Sequence, residues 1–176
     1  MSEPSPTVPG RSCGDCALCC KILEIKALDK PRDVWCSHCS TRQKCDIYLD
    51  RPQTCRNYNC GYMTQPWIGE EWYPRNARMM ISFGADGQHM FVQVDPTRAD
   101  AWRREPYLSQ LRQWARLNNP RGQQVIVSLN GRYIVVFPDR EVDLGPIGDD
   151  ETVTFTVTQT PTGPVTQAQK VKIAQS

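Results

Sequence analysis

The alternation of apolar and polar residues predicts a small sheet in the second half of the chain. Five runs rich in β-branched and aromatic residues have the length of strands. They cover residues 78–83, 90–94, 125–129, 132–137 and 151–157. Gly84 and Gly87 lie between the first two runs, and Asn130-Gly131, a strong hairpin signal, lies between the next two. These short connections predict a mostly antiparallel sheet.

Helical periodicity appears between the second and third runs. Asp95-Pro96-Thr97 is typical of a helix start, and a second helix can begin at Pro106. From there Leu108, Leu111 and Ala115 fall on one face as far as Leu117. The sequence thus predicts an α+β unit over residues 63–159, with one or two helices on the sheet. Trp67, Trp72 and Tyr73 are expected to pack this unit against the first half, and they also fit an aromatic ligand cleft.

Periodic signals are weaker before residue 63 and at the C-terminal end. Leu23, Ile25 and Ala27 alternate with polar residues, which predicts a strand. Residues 46–50 predict one helical turn, ended before Pro52. Residues 1–11 are rich in Pro and Ser and are predicted to be disordered. Residues 160–176 are predicted to form a polar tail, and the acidic residues between 139 and 151 a solvated loop.

Charge and hydropathy exclude several classes of function. The 21 basic and 19 acidic residues give a net charge of +2, which argues against a dedicated nucleic-acid or membrane-surface protein. No apolar run approaches the ~18 residues of a membrane span, and residues 1–10 lack the pattern of a signal peptide. A cytoplasmic protein without membrane contact is therefore expected. Five arginines interleaved with aromatics resemble a single-strand-binding surface, although an amphipathic helix explains them better. They are Arg103, Arg104, Arg112, Arg116 and Arg121, with Trp102, Tyr107 and Trp114.

The cysteines carry the strongest chemical signal. All nine lie within residues 13–60: Cys13, Cys16, Cys19, Cys20, Cys36, Cys39, Cys45, Cys55 and Cys60. A disulfide framework needs an oxidising compartment and leaves one thiol of an odd set unpaired, and redox Cys-x-x-Cys chemistry is a second alternative. Cys-x-x-Cys is also the recurrent half-site of zinc and iron–sulfur ligation. Because residues 12–62 offer few other apolar side chains, we favour a module stabilised by a metal bound to thiolates.

Details of ligation stay open at this level. Cys19 and Cys20 are adjacent in sequence, so their side chains are expected to point apart. This favours two metal ions that meet at the Cys19–Cys20 step, or one cluster with spare thiols. His38, between Cys36 and Cys39, fits either a ligand or a loop histidine. Arg51 and Arg56 flank Cys55, where they could donate to sulfurs or be solvated. Zinc is the favoured metal, with iron or an iron–sulfur cluster as the alternative.

A family resemblance rests on the cysteine spacing. The motif is Cys-x-x-Cys-x-x-Cys-Cys from Cys13, a Trp-Cys pair ending at Cys36, and Cys-x-Ile-Tyr-x-x-Arg-Pro-x-x-Cys-Arg-x-Tyr-x-Cys from Cys45. It resembles the YkgJ-type cysteine-cluster family, described as a zinc- or iron-chelating domain. The matching residues are eight cysteines with Tyr48, Arg51, Pro52, Arg56 and Tyr58. Cys39 is the cysteine outside the pattern. It is expected to be an extra metal ligand, a replacement for one of the other ligands, or a thiol that binds no metal.

The resemblance implies metal chelation, with a role in metal handling or as an accessory protein. Some relatives are similar to flagellin lysine N-methylases, which implies an iron–sulfur or metal-dependent enzyme as the alternative. Against it, the sequence has no recognisable loop for adenosylmethionine, and no Gly-x-Gly-x-x-Gly, P-loop or His-Glu-x-x-His motif. A nucleic-acid-binding zinc module is a third, weaker hypothesis.

Overall fold

A five-stranded mixed sheet organises the second half of the chain. The computed structural model describes residues 6–40, 44–84, 87, 89–148, 150–161 and 163–173. The sheet has the order β1-β2-β3-β4-β5, and only its β2–β3 pair is parallel. Its strands are β1 (Met79–Phe83), β2 (His89–Val94), β3 (Gln124–Leu129), β4 (Arg132–Val136) and β5 (Glu141–Pro146). The mostly antiparallel α+β prediction and both predicted hairpins are therefore confirmed.

One face of this sheet carries the main hydrophobic core. Successive strand residues point to opposite faces, so Ile81, Val92 and Val127 lie together under the helical layer. Helix α5 (Tyr107–Asn118) forms the crossover that a parallel β2–β3 pair requires. Its Leu111 and Ala115 are fully buried against the sheet, as predicted. The tryptophans at 72 and 102 complete this core, each about 1% exposed.

The opposite face is covered from two sides. Ile126, Val135 and Phe137 pack under the two-stranded sheet of β6 (Glu151–Thr160) and β7 (Gly163–Lys172), which contributes Phe155. At the β1 edge, Met80 instead packs against Leu18 and Ile22 of the cysteine-rich half. The first half of the chain therefore docks on the sheet through apolar contacts as well as through the polar contacts described below.

The cysteine-rich half is built from very short elements. It contains α1 (Leu18–Ile22) and α2 (Gln53–Asn57). Two further short helices, α3 (Gly61–Thr64) and α4 (Pro74–Ala77), connect it to β1. Gly61 permits α3 to approach β1, because a Cβ at this position would lie 2.8 Å from Ile81 Cγ2. No helix in the described ranges combines the length and apolar character needed to cross a bilayer.

Several local predictions are wrong. Residues 160–176 are predicted to be a polar tail, but residues 163–172 form β7, which pairs with β6 along its full length. The edge of β6 provides the hydrogen-bonding partner that makes these polar residues a strand. The acidic stretch from 139 to 151 contains β5 rather than only a loop. The predicted strand at 23–27 is a 3-10 turn at Lys26–Leu28 with a single bridge from Ile25 to Lys30. Residues 46–50 form hydrogen-bonded turns and no helix.

The described part of the N-terminal segment is also ordered, against the prediction of disorder over residues 1–11. Val8 N donates to Met63 O at 2.8 Å. The Arg11 guanidinium donates to the carbonyls of Tyr62, Gln65 and Ile68 at 2.6–3.0 Å. One arginine therefore satisfies three carbonyl groups around the end of α3 and fixes the entry to the cysteine-rich half. Residues 1–5 of that prediction lie outside the described residues.

Candidate metal centre

The cysteines fall into two neighbouring groups, and helix α1 contributes Cys19 to one group and Cys20 to the other. What we call the first thiol group consists of Cys13, Cys16, Cys19 and Cys60, which line a cavity of about 40 Å³ together with Tyr58 and Met80. A cavity of this volume admits an ion or a few atoms, because a single water needs ~10–15 Å³ by the same kind of measure. The Tyr58 hydroxyl donates to Met80 Sδ at 3.2 Å, which fixes the inner wall.

The second thiol group consists of Cys20, Cys36, Cys39, Cys45 and Cys55. Cys36 and Cys39 are buried beside Ala17, with Cys20 and Trp35 packed against them. The thiols of Cys20 and Cys39 hydrogen-bond to each other. Cys45 and Cys55 are the outer members, and the charges of Cys20 and Cys36 act on both of them.

The two groups meet at the Cys19–Cys20 step. The two thiols act on each other's pKa: hydrogen bonding raises the pKa of Cys19 and lowers that of Cys20. The first group lies toward Met80 of β1, and the second toward the turn of residues 36–39. The two groups are therefore neighbours, with Cys19 and Cys20 at their junction.

Backbone hydrogen bonds hold the thiol-bearing turns. Cys16 N donates to Cys13 O at 2.7 Å, which closes the first Cys-x-x-Cys turn. Cys36 N donates to Cys20 O at 2.9 Å and joins the turn of residues 36–39 to α1. The Tyr73 hydroxyl donates to Cys13 O at 2.8 Å from the sheet side. Tyr73 thus connects the two halves as predicted, whereas Trp72 lies within the main core and Trp67 is half-exposed.

Protonation of the thiols differs within the set. Burial raises the pKa of Cys16 to about 11, and it also raises the pKa of Cys13 and Cys60. Hydrogen bonding from Cys19, aided by Cys39 and the positive charges of Lys30 and Arg51, lowers the pKa of Cys20 to about 7. Burial raises the pKa of Cys39 to about 11. Cys20 is therefore the most acidic of these thiols, and thiolate is the form that ligates metals.

Two cations lie beside the sulfur atoms. Lys30 is buried, and its Nζ donates to Lys21 O at 2.6 Å and to Leu23 O. Arg51 lies over the Tyr48 ring at 3.9 Å. Burial raises the pKa of Cys13, Cys45 and Cys55, and the positive charge of Arg51 opposes that rise. The same charge helps to lower the pKa of Cys20. The Nε atom of Arg51 is buried and has no hydrogen-bond partner. These charges oppose the repulsion that neighbouring thiolates would generate.

Arg56 has a different role from Arg51. Its guanidinium donates to the carbonyls of Arg51 and Leu49 at 2.8 and 2.7 Å. The side chain thus braces the loop that carries Arg51, and acts on the sulfur atoms only through that loop. The charge of Arg51 acts on Cys13, Cys20, Cys45 and Cys55, whereas the guanidinium of Arg56 is engaged with backbone carbonyls.

A buried ionic contact ties α1 to the sheet. Asp95, at the end of β2, is fully buried and pairs with Lys21 and with Arg78, the latter at 2.5 Å. Thr97 N also donates to the Asp95 carboxylate at 3.0 Å. Lys21 immediately follows the Cys19–Cys20 pair, so the position of both thiols depends on this carboxylate. Sequence periodicity gave no signal for Lys21 or Lys30, because lysines are rarely buried.

The predicted ligands are thus close to one another without forming a finished site. All nine cysteines are free thiols. Within the described residues, no group of three or more His, Cys, Asp or Glu side chains is arranged to hold a metal ion. His38 is half-buried in the turn between Cys36 and Cys39, where its carbonyl accepts a hydrogen bond from Asp46 N at 2.8 Å. Its ligation stays a prediction.

The arginine-rich stretch from Trp102 through α5 offers little to a nucleic acid. Trp102 is buried in the main core, and Trp114 packs against Trp72 with ring centroids 5.0 Å apart. Arg103 pairs with Glu141, and Arg104 pairs with Asp100 at 2.7 Å. Because these aromatics and charges already have partners, the structure favours the amphipathic-helix interpretation.

Comparison with known proteins adds no relative. No family model, no curated protein and no solved structure matches the chain. The fold and the thiol set therefore define the class as an α+β protein with a cysteine-rich half, and the family resemblance stays a prediction.

Proposed function

We propose that this protein binds metal through its cysteine thiolates, with zinc as the favoured ion, and acts in metal handling or as an accessory protein. The observation that carries the proposal is the gathering of nine free thiols, from separate stretches of residues 13–60, into two adjoining groups. Reduced, partly buried thiols of this number have few other uses, since thiolate is the preferred ligand of zinc and of iron–sulfur clusters.

Two further observations support a fit to a soft cation. The cavity of the first thiol group is small and lined by sulfur, which suits an ion better than an organic molecule. Arg51 Nε is buried without a partner beside cysteines of both groups. A metal–thiolate centre carries net negative charge, so it would supply an acceptor for this Nε atom.

We assign the first thiol group to one ion and the second to another, with Cys19 and Cys20 at the junction. Zinc takes four ligands in a tetrahedron, and the first group offers four thiols. The second group offers five, so one of its members is dispensable. Cys39 is the member outside the family pattern. Bound metal would hold the turns of the cysteine-rich half together, and Lys30 and Arg51 would balance its charge.

An iron–sulfur or metal-dependent enzyme is the second candidate, and one observation favours it. Tyr58 lines both the cavity of the first thiol group and a much larger open cleft of about 690 Å³. A substrate in that cleft would lie one side chain away from the sulfur atoms. A metal content of iron with sulfide would move this candidate to first place.

Serine variants of single cysteines test the assignment. Cys16→Ser and Cys55→Ser should each lose about one metal ion per chain, because each leaves one four-coordinate site short of a ligand when Cys39 is not among the ligands of the second group. Cys39→Ser should lose less, and Ser37→Ala in the same turn serves as the control with full content. Elemental analysis after anaerobic purification gives the counts. Full metal content in both Cys16→Ser and Cys55→Ser would contradict the proposal.

A further inference from the structure

The two thiol groups differ in how firmly they are attached to the rest of the molecule. Met80 of β1, about 1% exposed, lines the cavity of the first group. The Tyr73 hydroxyl lies 2.8 Å from Cys13 O and 2.9 Å from Asp15 Oδ1. Arg75 pairs with the same carboxylate. A cysteine of this turn can therefore move away from a bound ion only when the contacts with Tyr73 and Arg75 break.

The outer members of the second group lie on a less attached segment. Cys45 and Cys55 belong to residues 44–56, which we call the outer segment and which contains hydrogen-bonded turns and most of α2. Asp46 connects this segment to residues 38–40 of the neighbouring turn, through its backbone N at 2.8 Å and its carboxylate at 3.0 Å. Among the residues that the structure describes, no hydrogen bond or ion pair joins the outer segment to a strand.

This difference in attachment controls how easily a ligand leaves. Exposed segments with few contacts open locally at low free energy, whereas anchored segments open only with their surroundings. The inner ligands of the second group are anchored. Cys36 N donates to Cys20 O at 2.9 Å, and Lys21, the residue after Cys20, pairs with the buried Asp95. Opening of the outer segment would therefore free its two thiols together and leave the inner thiols in place.

We propose that the first thiol group holds a structural zinc ion, and that the second is an exchange site from which zinc passes to a pair of thiolates on an acceptor protein. The inference rests on the proposed function and names the partner of the second site. The acceptor thiolates replace Cys45 and Cys55, so that the ion is shared with Cys20 and Cys36 before it leaves. A Cys-x-x-Cys pair fits this role, because it presents two soft ligands from one turn.

The exchange is balanced at every step. Each replacement breaks one zinc–sulfur bond of this chain and forms one zinc–sulfur bond to the acceptor. The departing cysteine thiolate takes up the proton that the acceptor thiol releases. No electrons are transferred, so the exchange needs neither an oxidant nor a reductant.

The kinetics of zinc release test the two roles. The full chain, loaded with zinc under anaerobic conditions with a phosphine reductant, is mixed with an excess of pyridylazoresorcinol, a chromophoric chelator. One part of the zinc should leave roughly tenfold faster than the rest, which requires a difference of only about 1.4 kcal/mol in activation free energy. Cys16→Ser should show the fast phase alone, and Cys55→Ser the slow phase alone. A metal-free peptide with two Cys-x-x-Cys pairs should take up only the fast zinc.

Two substitutions outside the cysteines separate the two kinds of attachment. Tyr73→Phe removes the hydroxyl at the Cys13 turn and should speed the slow phase alone, by roughly two- to tenfold, the effect of losing one hydrogen bond. Arg56→Ala removes the guanidinium that donates to two carbonyls of the outer segment, and should speed the fast phase alone. Ser37→Ala, in the turn between the inner thiols, is the control and should leave both phases unchanged.

The outcomes separate this inference from the proposed function. A folded chain that binds no zinc would contradict both. Release of all the zinc at one rate, a fast phase that persists in Cys55→Ser, or a Tyr73→Phe variant that speeds only the fast phase would overturn the exchange site and leave zinc binding intact. Release of the fast zinc to the chelator but not to the thiolate peptide would overturn the acceptor named here.

Discussion

Between β1 and β4 the interior is a continuous apolar layer. Between Cys13 and Cys60 the buried side chains of the described residues are four aliphatic groups, two thiols and two lysines. The sheet half contains a twelve-residue helix and ladder-paired strands. The longest helices in the cysteine-rich half have five residues. Helices this short are not stable alone, so this half needs other cross-links. Apolar burial stabilises the sheet half, and our proposal assigns the stabilisation of the cysteine-rich half to metal ligation.

Removal of metal should have the largest effect, and should act on one half. Each structural zinc contributes about 10–16 kcal/mol in zinc-finger peptides. A strong chelator under reducing conditions should therefore abolish amide protection in residues 13–60 and leave most of β1–β4 protected. Hydrogen exchange with mass spectrometry measures both halves in one experiment. Equal loss of amide protection in both halves, or no change in either half, would contradict the proposal that metal stabilises the cysteine-rich half alone.

Asp95→Asn should weaken the connection between the halves. The substitution leaves the buried Lys21 without its carboxylate, and breaking a buried pair in this way costs about 3–5 kcal/mol. Unfolding in denaturant should shift to lower concentration, with earlier exposure of the cysteine-rich half. Asp143→Asn is the matched control, because its partner Arg132 is half-exposed and surface pairs contribute ~0–1 kcal/mol. Equal shifts in the two variants would show that the buried pair is dispensable.

The contribution of Asp95 should depend on pH in a defined direction. Burial alone would raise the pKa of Asp95, but hydrogen bonds from Lys21 and Thr97 and the charge of Arg78 lower it overall, below 3.8. A lowered folded-state pKa gives stability that is present above the unfolded pKa and lost as pH falls through the folded value. The difference in unfolding free energy between the parent and Asp95→Asn should therefore shrink below about pH 4. A constant difference down to pH 2 would exclude ionisation as its source.

The sequence predicts the sheet half better than the cysteine-rich half. Strand periodicity and the Asn130-Gly131 turn identify β1 to β4 because their signals are local. β7 was missed, since its polar residues become a strand only through pairing with β6. In the cysteine-rich half, the spacing of the cysteines predicts that they lie close together, but it does not predict which cysteines share a group. The division at α1, and the roles of Lys21, Lys30 and Asp95, depend on contacts across up to 74 positions of sequence.

Arg51→Gln should have the smallest effect, on metal affinity rather than on folding. Groups that support metal ligands typically contribute 10- to 100-fold in affinity. Arg51→Gln should weaken metal binding in that range, while Arg56→Gln should change it less, because Arg56 binds carbonyls instead of facing the sulfur atoms. Competition with a chromophoric chelator gives both affinities. A larger loss of metal affinity in Arg56→Gln than in Arg51→Gln would contradict the assignment of the charge-balancing role to Arg51.

The metal content of the protein tests the central claim most directly. The chain should be purified anaerobically with reductant and measured by elemental analysis, absorption spectroscopy and titration of reactive thiols. The account predicts a colourless protein with about two zinc ions per chain, since each zinc takes four thiolates, and with few thiols reactive before denaturation. Metal-free, folded protein with all nine thiols reactive would contradict it.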